Sequence, residues 1–183
     1  MTLAEFLAWE ERRELRHEFD GFEPTSMTGG TIAHDQITFD LRTALATRLA
    51  GKPCRPLGPN VEIIADGRAR YPDALVVCRP VSPTATVAED PVIVFEVLGE
   101  GGSQTDLIDK NREYRATLSI QRYAVLQQTR KAAIVFARAA KGWLSEIVSG
   151  DDAVLDLPEI GIAVPLREVY ANVALSGDEE PAP

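Results

Sequence analysis

Several things are missing from this 183-residue sequence, and each absence narrows the possibilities. No apolar run approaches the roughly 18 residues of a membrane span, so a helical integral membrane protein is excluded. The N-terminal MTLAEFLAWEERRELR alternates charged and apolar residues and has no apolar signal core, which predicts a cytoplasmic protein. There are only two cysteines, Cys54 and Cys78, with no CxxC spacing and no neighbouring histidine. They argue against a zinc centre and fit a reducing compartment, as small buried apolar groups rather than nucleophiles. P-loop, GxGxxG, HExxH and GxSxG patterns are all absent, which removes the enzyme classes they mark. The chain also has no internal repeat and no composition break that would divide it. One domain over residues 1–175, with a flexible acidic tail at 176–183, is the expected organisation.

The net charge of −9 speaks against nonspecific phosphate binding, until its distribution is considered. Residues 142–183 carry nine acidic side chains against Arg167 alone, whereas residues 110–141 carry eight basic ones against Glu113 alone. A +7 block beside an acidic end is compatible with a nucleic-acid face; the alternative is a solvated helix and hairpin.

The local patterns predict a mixed fold. Thr2-Leu-Ala-Glu5 reads as a capping box opening a helix that ends near Arg16. Asp20-Gly21 marks a turn between short extended arms, and residues 28–31 a flexible loop. Ile37, Leu41, Leu45 and Leu49 form one face of a second helix, closed by Gly51 and Pro53. Residues 61–64, 74–77 and 92–98 are branched, apolar and strand-like, with residues 79–90 a surface excursion. A charged helix follows over about 105–117, then three antiparallel strands at 123–127, 132–137 and 143–148, and a short helix at 166–170.

Glu96 is the most informative residue. It lies within Val92-Ile-Val-Phe-Glu-Val-Leu98, a run apolar enough to be buried on both faces, where a carboxylate needs a cation, a metal or a proton. The alternative is a strand end that points Glu96 to water. Tyr71-Pro72-Asp73 opens another apolar run and puts Asp73 at a sheet rim. Two carboxylates on neighbouring strands are the usual minimum for Mg²⁺. Asp106, Lys110 and Tyr114 fall at i, i+4 and i+8 on one helix face, which by itself is an ordinary surface pattern.

Taken in order, His17-Glu18-Phe-Asp-Gly21, His34, Tyr-Pro-Asp73-Ala-Leu-Val-Val, Phe-Glu96-Val-Leu, Asp106…Lys110…Tyr114 and Pro-Leu-Arg-Glu-Val-Tyr170 resemble the PD-(D/E)xK nuclease superfamily. More closely, they resemble the Uma-type restriction-endonuclease family, a domain of unknown function. The resemblance implies an α/β (α+β) restriction-endonuclease-like fold, a central mixed sheet flanked by helices. It also implies Mg²⁺- or Mn²⁺-dependent cleavage of DNA by a homodimer. Asp73, Glu96 and the backbone carbonyl of Val97 would hold the metal, with Glu18 as a supplementary ligand. Lys110 would assist the chemistry, and His34, Tyr114, Arg112 and Arg115 would be the substrate contacts. Two departures stand out. Gly99-Glu100-Gly101-Gly102 replaces the family's hydroxyl-rich stretch, and Leu98 stands where superfamily members carry lysine, so that role passes to Lys110. A non-catalytic dimeric binding module that retains the fold is the alternative reading, and a hydrolase for another phosphate substrate a third.

Overall fold

The computed structural model describes residues 1–27, 29–99 and 104–175, with side chains of the last stretch from residue 108. Thr2 caps α1 (Leu3–Glu10) through the capping box: its hydroxyl accepts from the Glu5 N–H, and its own N–H donates to Glu5 Oε2. The helix stops at Glu10, short of the expected Arg16. Residues 11–16 contain a single apolar side chain, Leu15, which is exposed, so further turns would bury nothing. Glu10 instead turns its carboxylate to the His17 N–H at 2.8 Å.

The predicted hairpin forms from β1 (His17–Phe19) and β2 (Pro24–Ser26). Asp20 Oδ1 accepts from the N–H groups of Phe22 and Glu23, and Gly21 supplies the positive φ of +97°. Strands β4 (Ile63–Ala65) and β5 (Arg68–Arg70) make a second hairpin about Asp66-Gly67, both with positive φ. Together they build a small antiparallel sheet in the order β2-β1-β5-β4. Phe6 of α1 stacks on Phe19 there, with ring centroids 5.0 Å apart.

The main sheet has six strands in the order β10-β9-β8-β7-β6-β3. They are β3 (Arg55–Leu57), β6 (Ala74–Val77), β7 (Ile93–Leu98), β8 (Arg122–Gln127), β9 (Ala132–Ala139) and β10 (Gly142–Ser149). Only β7 and β8 run parallel, and that pair needs a crossover, which α3 (Gln104–Ala116) provides. The result is the expected mixed α+β architecture.

Period-two alternation assigns the sheet's two faces. Ala74, Val76, Ile93, Phe95, Val97, Ala124 and Leu126 turn to one side, where α2 (Ile32–Leu49) lays Ile37, Leu41 and Leu45 upon them. The antiparallel pair β11 (Val154–Leu157) and β12 (Ile162–Pro165), with α4 (Leu166–Val169), completes that layer. Leu75, Val77, Val94, Tyr123 and Val125 turn to the other side, against Tyr114 of α3. Asp73 and Glu96 belong by parity to this second face.

One further expectation is corrected. Cys54 and Cys78 are joined by a disulfide rather than being separate thiols. The β3–β6 register, Arg55 opposite Val77, sets the two cysteines opposite one another one residue further on. Strand β3 is a three-residue Arg-Pro-Leu segment with little apolar pattern, so this pairing was invisible in the spacing. The 79–90 excursion is mostly exposed, as expected, and touches the body where Val87 bridges to Glu62 and Ala88 is buried. The 176–183 tail and residues 28 and 100–103 lie outside the described residues.

Candidate active site

Strand pairing creates the site. Ala74 of β6 stands opposite Phe95 of β7, so the antiparallel register places Asp73 beside Glu96. Asp73 Oδ2 accepts the Val97 N–H at 2.7 Å, which fixes this carboxylate against the exposed end of β7. Glu96 is not at a fraying end: it sits inside the strand, with its side chain 13% exposed.

The helix after β7 closes the site. Lys110 and Tyr114, one turn apart on α3, both reach Glu96 Oε1, at 3.2 Å from Nζ and 2.7 Å from the phenol oxygen. Lys110 Nζ also donates to Glu18 Oε1 at 3.0 Å, from the first hairpin. His34 Nε2, near the start of α2, lies 3.2 Å from Asp73 Oδ2. Its position is built by Thr31, whose hydroxyl caps the helix by accepting the His34 N–H and donates to Gln128 Oε1. Gln128 in turn donates to the Leu98 carbonyl at the end of β7. A Cβ at Gly30 would lie 3.0 Å from this ring, which would have to shift by a few tenths of an ångström.

The electrostatics are those of crowded negative charge. Burial raises the Glu96 pKa to about 7; Lys110 opposes this, while Asp73 and Glu18 add to it. Burial works against the Lys110 charge, but Glu96 and Glu18 overcome it and hold the ammonium protonated. The hydrogen bond to Asp73 raises the His34 pKa. Burial pushes the Tyr114 phenol well above its ordinary value, so it acts as a neutral donor.

The donor set suits a hard divalent cation. Among the described residues, Asp73 Oδ1 and Glu96 Oε2 accept no hydrogen bond, and the two carboxylates repel one another. Mg²⁺ typically takes one or two carboxylates and keeps waters otherwise. The oxygens of Glu18 accept from Lys110, the Tyr71 N–H and Arg70. No group of three or more metal-ligating side chains converges among the described residues.

Behind Glu18 lies a network absent from the sequence reading. Arg70, buried, makes a two-pronged pair with Glu113 at 2.7 and 2.8 Å and also reaches Glu18. Glu113 is the lone acid of the basic block, and that isolation was the available signal.

Part of the block is tied into the fold. Arg122 pairs with Glu159, Lys131 with Asp151, and Arg138 donates to the carbonyls of Arg115, Thr117 and Ile120. Arg112, 62% exposed, pairs with Asp109, and Arg115 lies near the Trp143 ring. Of the four expected substrate contacts, His34 and Tyr114 therefore join the site through Asp73 and Glu96. Arg112 and Arg115 make their contacts elsewhere. The Asp106 side chain lies outside what is described.

The Uma2 family model, described as "Putative restriction endonuclease", matches residues 3–167. Uncharacterized protein slr1290 of Synechocystis sp. is 28% identical over 174 residues, 93% of this chain and 91% of that protein. Uncharacterized protein sll1609 of the same organism is 25% identical over 133 residues, 70% of this chain and 75% of that one. Among solved structures, a "putative nuclease belonging to DUF820" from Anabaena variabilis superposes with a TM-score of 0.76 at 15% identity, covering 93% of this chain and 98% of that one. At that identity the likeness speaks for the fold, while the family match spans nearly the whole sequence. This chain belongs to the Uma2 restriction-endonuclease family.

Proposed function

We propose that the protein cleaves DNA phosphodiester bonds in a divalent-metal-dependent reaction at Asp73, Glu96 and Lys110. The observation that supports this reading is the reach of Lys110 across from α3 to within 3.2 Å of Glu96, where it would stand in for the missing strand lysine. Leu98, which occupies the lysine's usual position, packs with the apolar face beneath α3. Asp73 and Glu96 would hold Mg²⁺ or Mn²⁺, with the Val97 carbonyl as a further ligand. Such an ion, when bound, polarises the phosphoryl oxygen and supplies hydroxide near neutral pH.

The chain's own groups have separate tasks. Lys110, held protonated by two carboxylates, offers fixed positive charge to the developing charge on phosphate and orients the attacking water. Tyr114 donates to Glu96 Oε1, and Oε2 would be the oxygen available to a metal ion. Glu18 and Arg70 position the lysine from behind. His34 is near enough to Asp73 to hold its orientation and to meet a phosphate oxygen. A homodimer would offer one site to each strand of a duplex. The eight-residue free edge of β10, with Leu144 and Ile147 exposed, is available for such pairing.

Nicking of supercoiled plasmid in Mg²⁺ or Mn²⁺ tests the proposal. Wild type is expected to nick and Glu96→Ala not to; equal residual activity in both proteins overturns it.

A further inference from the structure

A second carboxylate site lies outside the Asp73–Glu96 pair. The irregular 11–16 arm and residues 86–87 enclose a cleft of about 620 Å³, in the size range of organic-ligand sites. Glu62 lies on its wall, 4% exposed, and its Oε1 is buried without any hydrogen-bond partner among the described residues. A buried carboxylate oxygen with no donor is costly, and the missing donor is a feature to be explained. The groups that act electrostatically on Glu62 are Glu10 and Arg16, both on the cleft wall.

The cations already present do not meet it. Arg13 sits over the Trp9 ring at 4.3 Å and Arg16 over the Tyr71 ring at 5.3 Å, and neither forms an ion pair with Glu62. Glu10 accepts from the Tyr71 hydroxyl at 3.0 Å. Glu11 and Glu14 add acid at the exposed rim, and Leu7, Leu15 and Val87 supply apolar wall in the same cleft. A bare metal ion would leave the apolar wall of Leu7, Leu15 and Val87 without a partner. Acid groups together with apolar wall match ammonium groups joined by methylenes.

We propose that this cleft binds an aliphatic polyamine, with one ammonium group donating to Glu62 beside Glu10 and its methylene stem lying along Leu7, Leu15 and Val87. The inference is independent of the nuclease reading, since binding here requires neither DNA nor metal.

Calorimetric titration with 1,4-diaminobutane and with N-(3-aminopropyl)butane-1,4-diamine, without metal or DNA and at physiological salt, tests it. One site per chain is expected. Glu62→Gln should weaken binding by about ten-fold or more, the effect of one lost charged contact. Glu96→Gln should leave it unchanged. On the wild-type protein, where no folding question arises, the triamine should shift the amide resonances of Tyr71, Thr86 and Val87. Absence of binding, equal affinity for wild type and Glu62→Gln, or shifts confined to the Asp73–Glu96 region would each overturn the proposal. Binding of a lysine-bearing peptide but of neither amine would likewise overturn it, in favour of a protein partner.

Discussion

Glu96 and Glu62 are two buried glutamates whose carboxyl groups are pushed by burial to the same range, about 7, yet their surroundings differ in kind. Glu96 has donors brought to it by α3, an ammonium at 3.2 Å and a phenol at 2.7 Å, and a second carboxylate beside it. Glu62 has a buried oxygen with no donor, although two arginines line the same cleft. The lesson is that a shifted pKa marks desolvation and does not by itself identify chemistry. What distinguishes the Glu96 region is convergence: β7, the residue before β6, the first hairpin and α2 each send one functional group to the same place, and α3 sends two. The Glu62 region has acid and space, which fits a ligand that brings its own positive charge.

The largest effect expected is at the convergent site. Glu96→Ala should reduce metal-dependent plasmid nicking by about 10³-fold or more, because metal-borne charge stabilisation is worth several kcal/mol. Lys110→Ala should follow with a loss of about 10²–10³-fold, the range for one preorganised electrostatic donor. Both are read from initial rates; a Lys110→Ala rate within three-fold of wild type would detach the lysine from the chemistry.

Next comes the network behind the lysine. Glu113→Gln leaves Arg70 buried with a weakened partner, and a loss of about 3–5 kcal/mol in urea unfolding is expected. The same variant should also lower nicking, because Arg70 anchors Glu18 and through it Lys110. An unchanged urea midpoint would show that this pair contributes nothing net.

A smaller effect isolates Glu62. Its carboxyl ionises near 4.5 when unfolded and about 7 when folded. A raised folded pKa means the favourable contribution of the neutral form is complete below the unfolded value and is lost as pH rises through the folded one. Wild type should therefore lose stability between pH 5 and 8 relative to Glu62→Gln, by roughly 1–2 kcal/mol after solvent screening. Parallel stability–pH curves for the two proteins would show that Glu62 is not desolvated in solution.

The smallest effect is expected for Arg112→Ala and Arg115→Ala. Each should change nicking by less than about three-fold, since exposed ion pairs and their neighbours contribute little. A large loss in either would restore the basic block as a DNA-binding face.

Much of this was legible in the sequence. Strand Ala74–Val77, the 93–98 strand with its embedded acid, and the crossover helix follow from apolar runs, proline and i+4 spacing, and they bring Asp73, Glu96 and Lys110 together. What was not legible depends on long-range pairing. Strands β3 and β5 carry arginine and proline where strand pattern needs apolar residues, and with β3 went the Cys54–Cys78 bridge. Arg70 and Glu113 are 43 residues apart, and Thr31 and Gln128 are 97 apart, so no local rule joins them. The pairing within the basic block was illegible for the same reason: Arg122 meets Glu159 and Arg138 meets backbone carbonyls that only the fold supplies.

Calorimetric titration of the metal alone tests the central claim most directly, because it does not require the DNA target to be known. Mn²⁺ should bind the wild-type protein, and Asp73→Asn should abolish that binding while Glu62→Gln leaves it intact. No Mn²⁺ binding by the wild type, or equal binding by wild type and Asp73→Asn, would contradict the account and favour a binding module that keeps the nuclease fold without its chemistry.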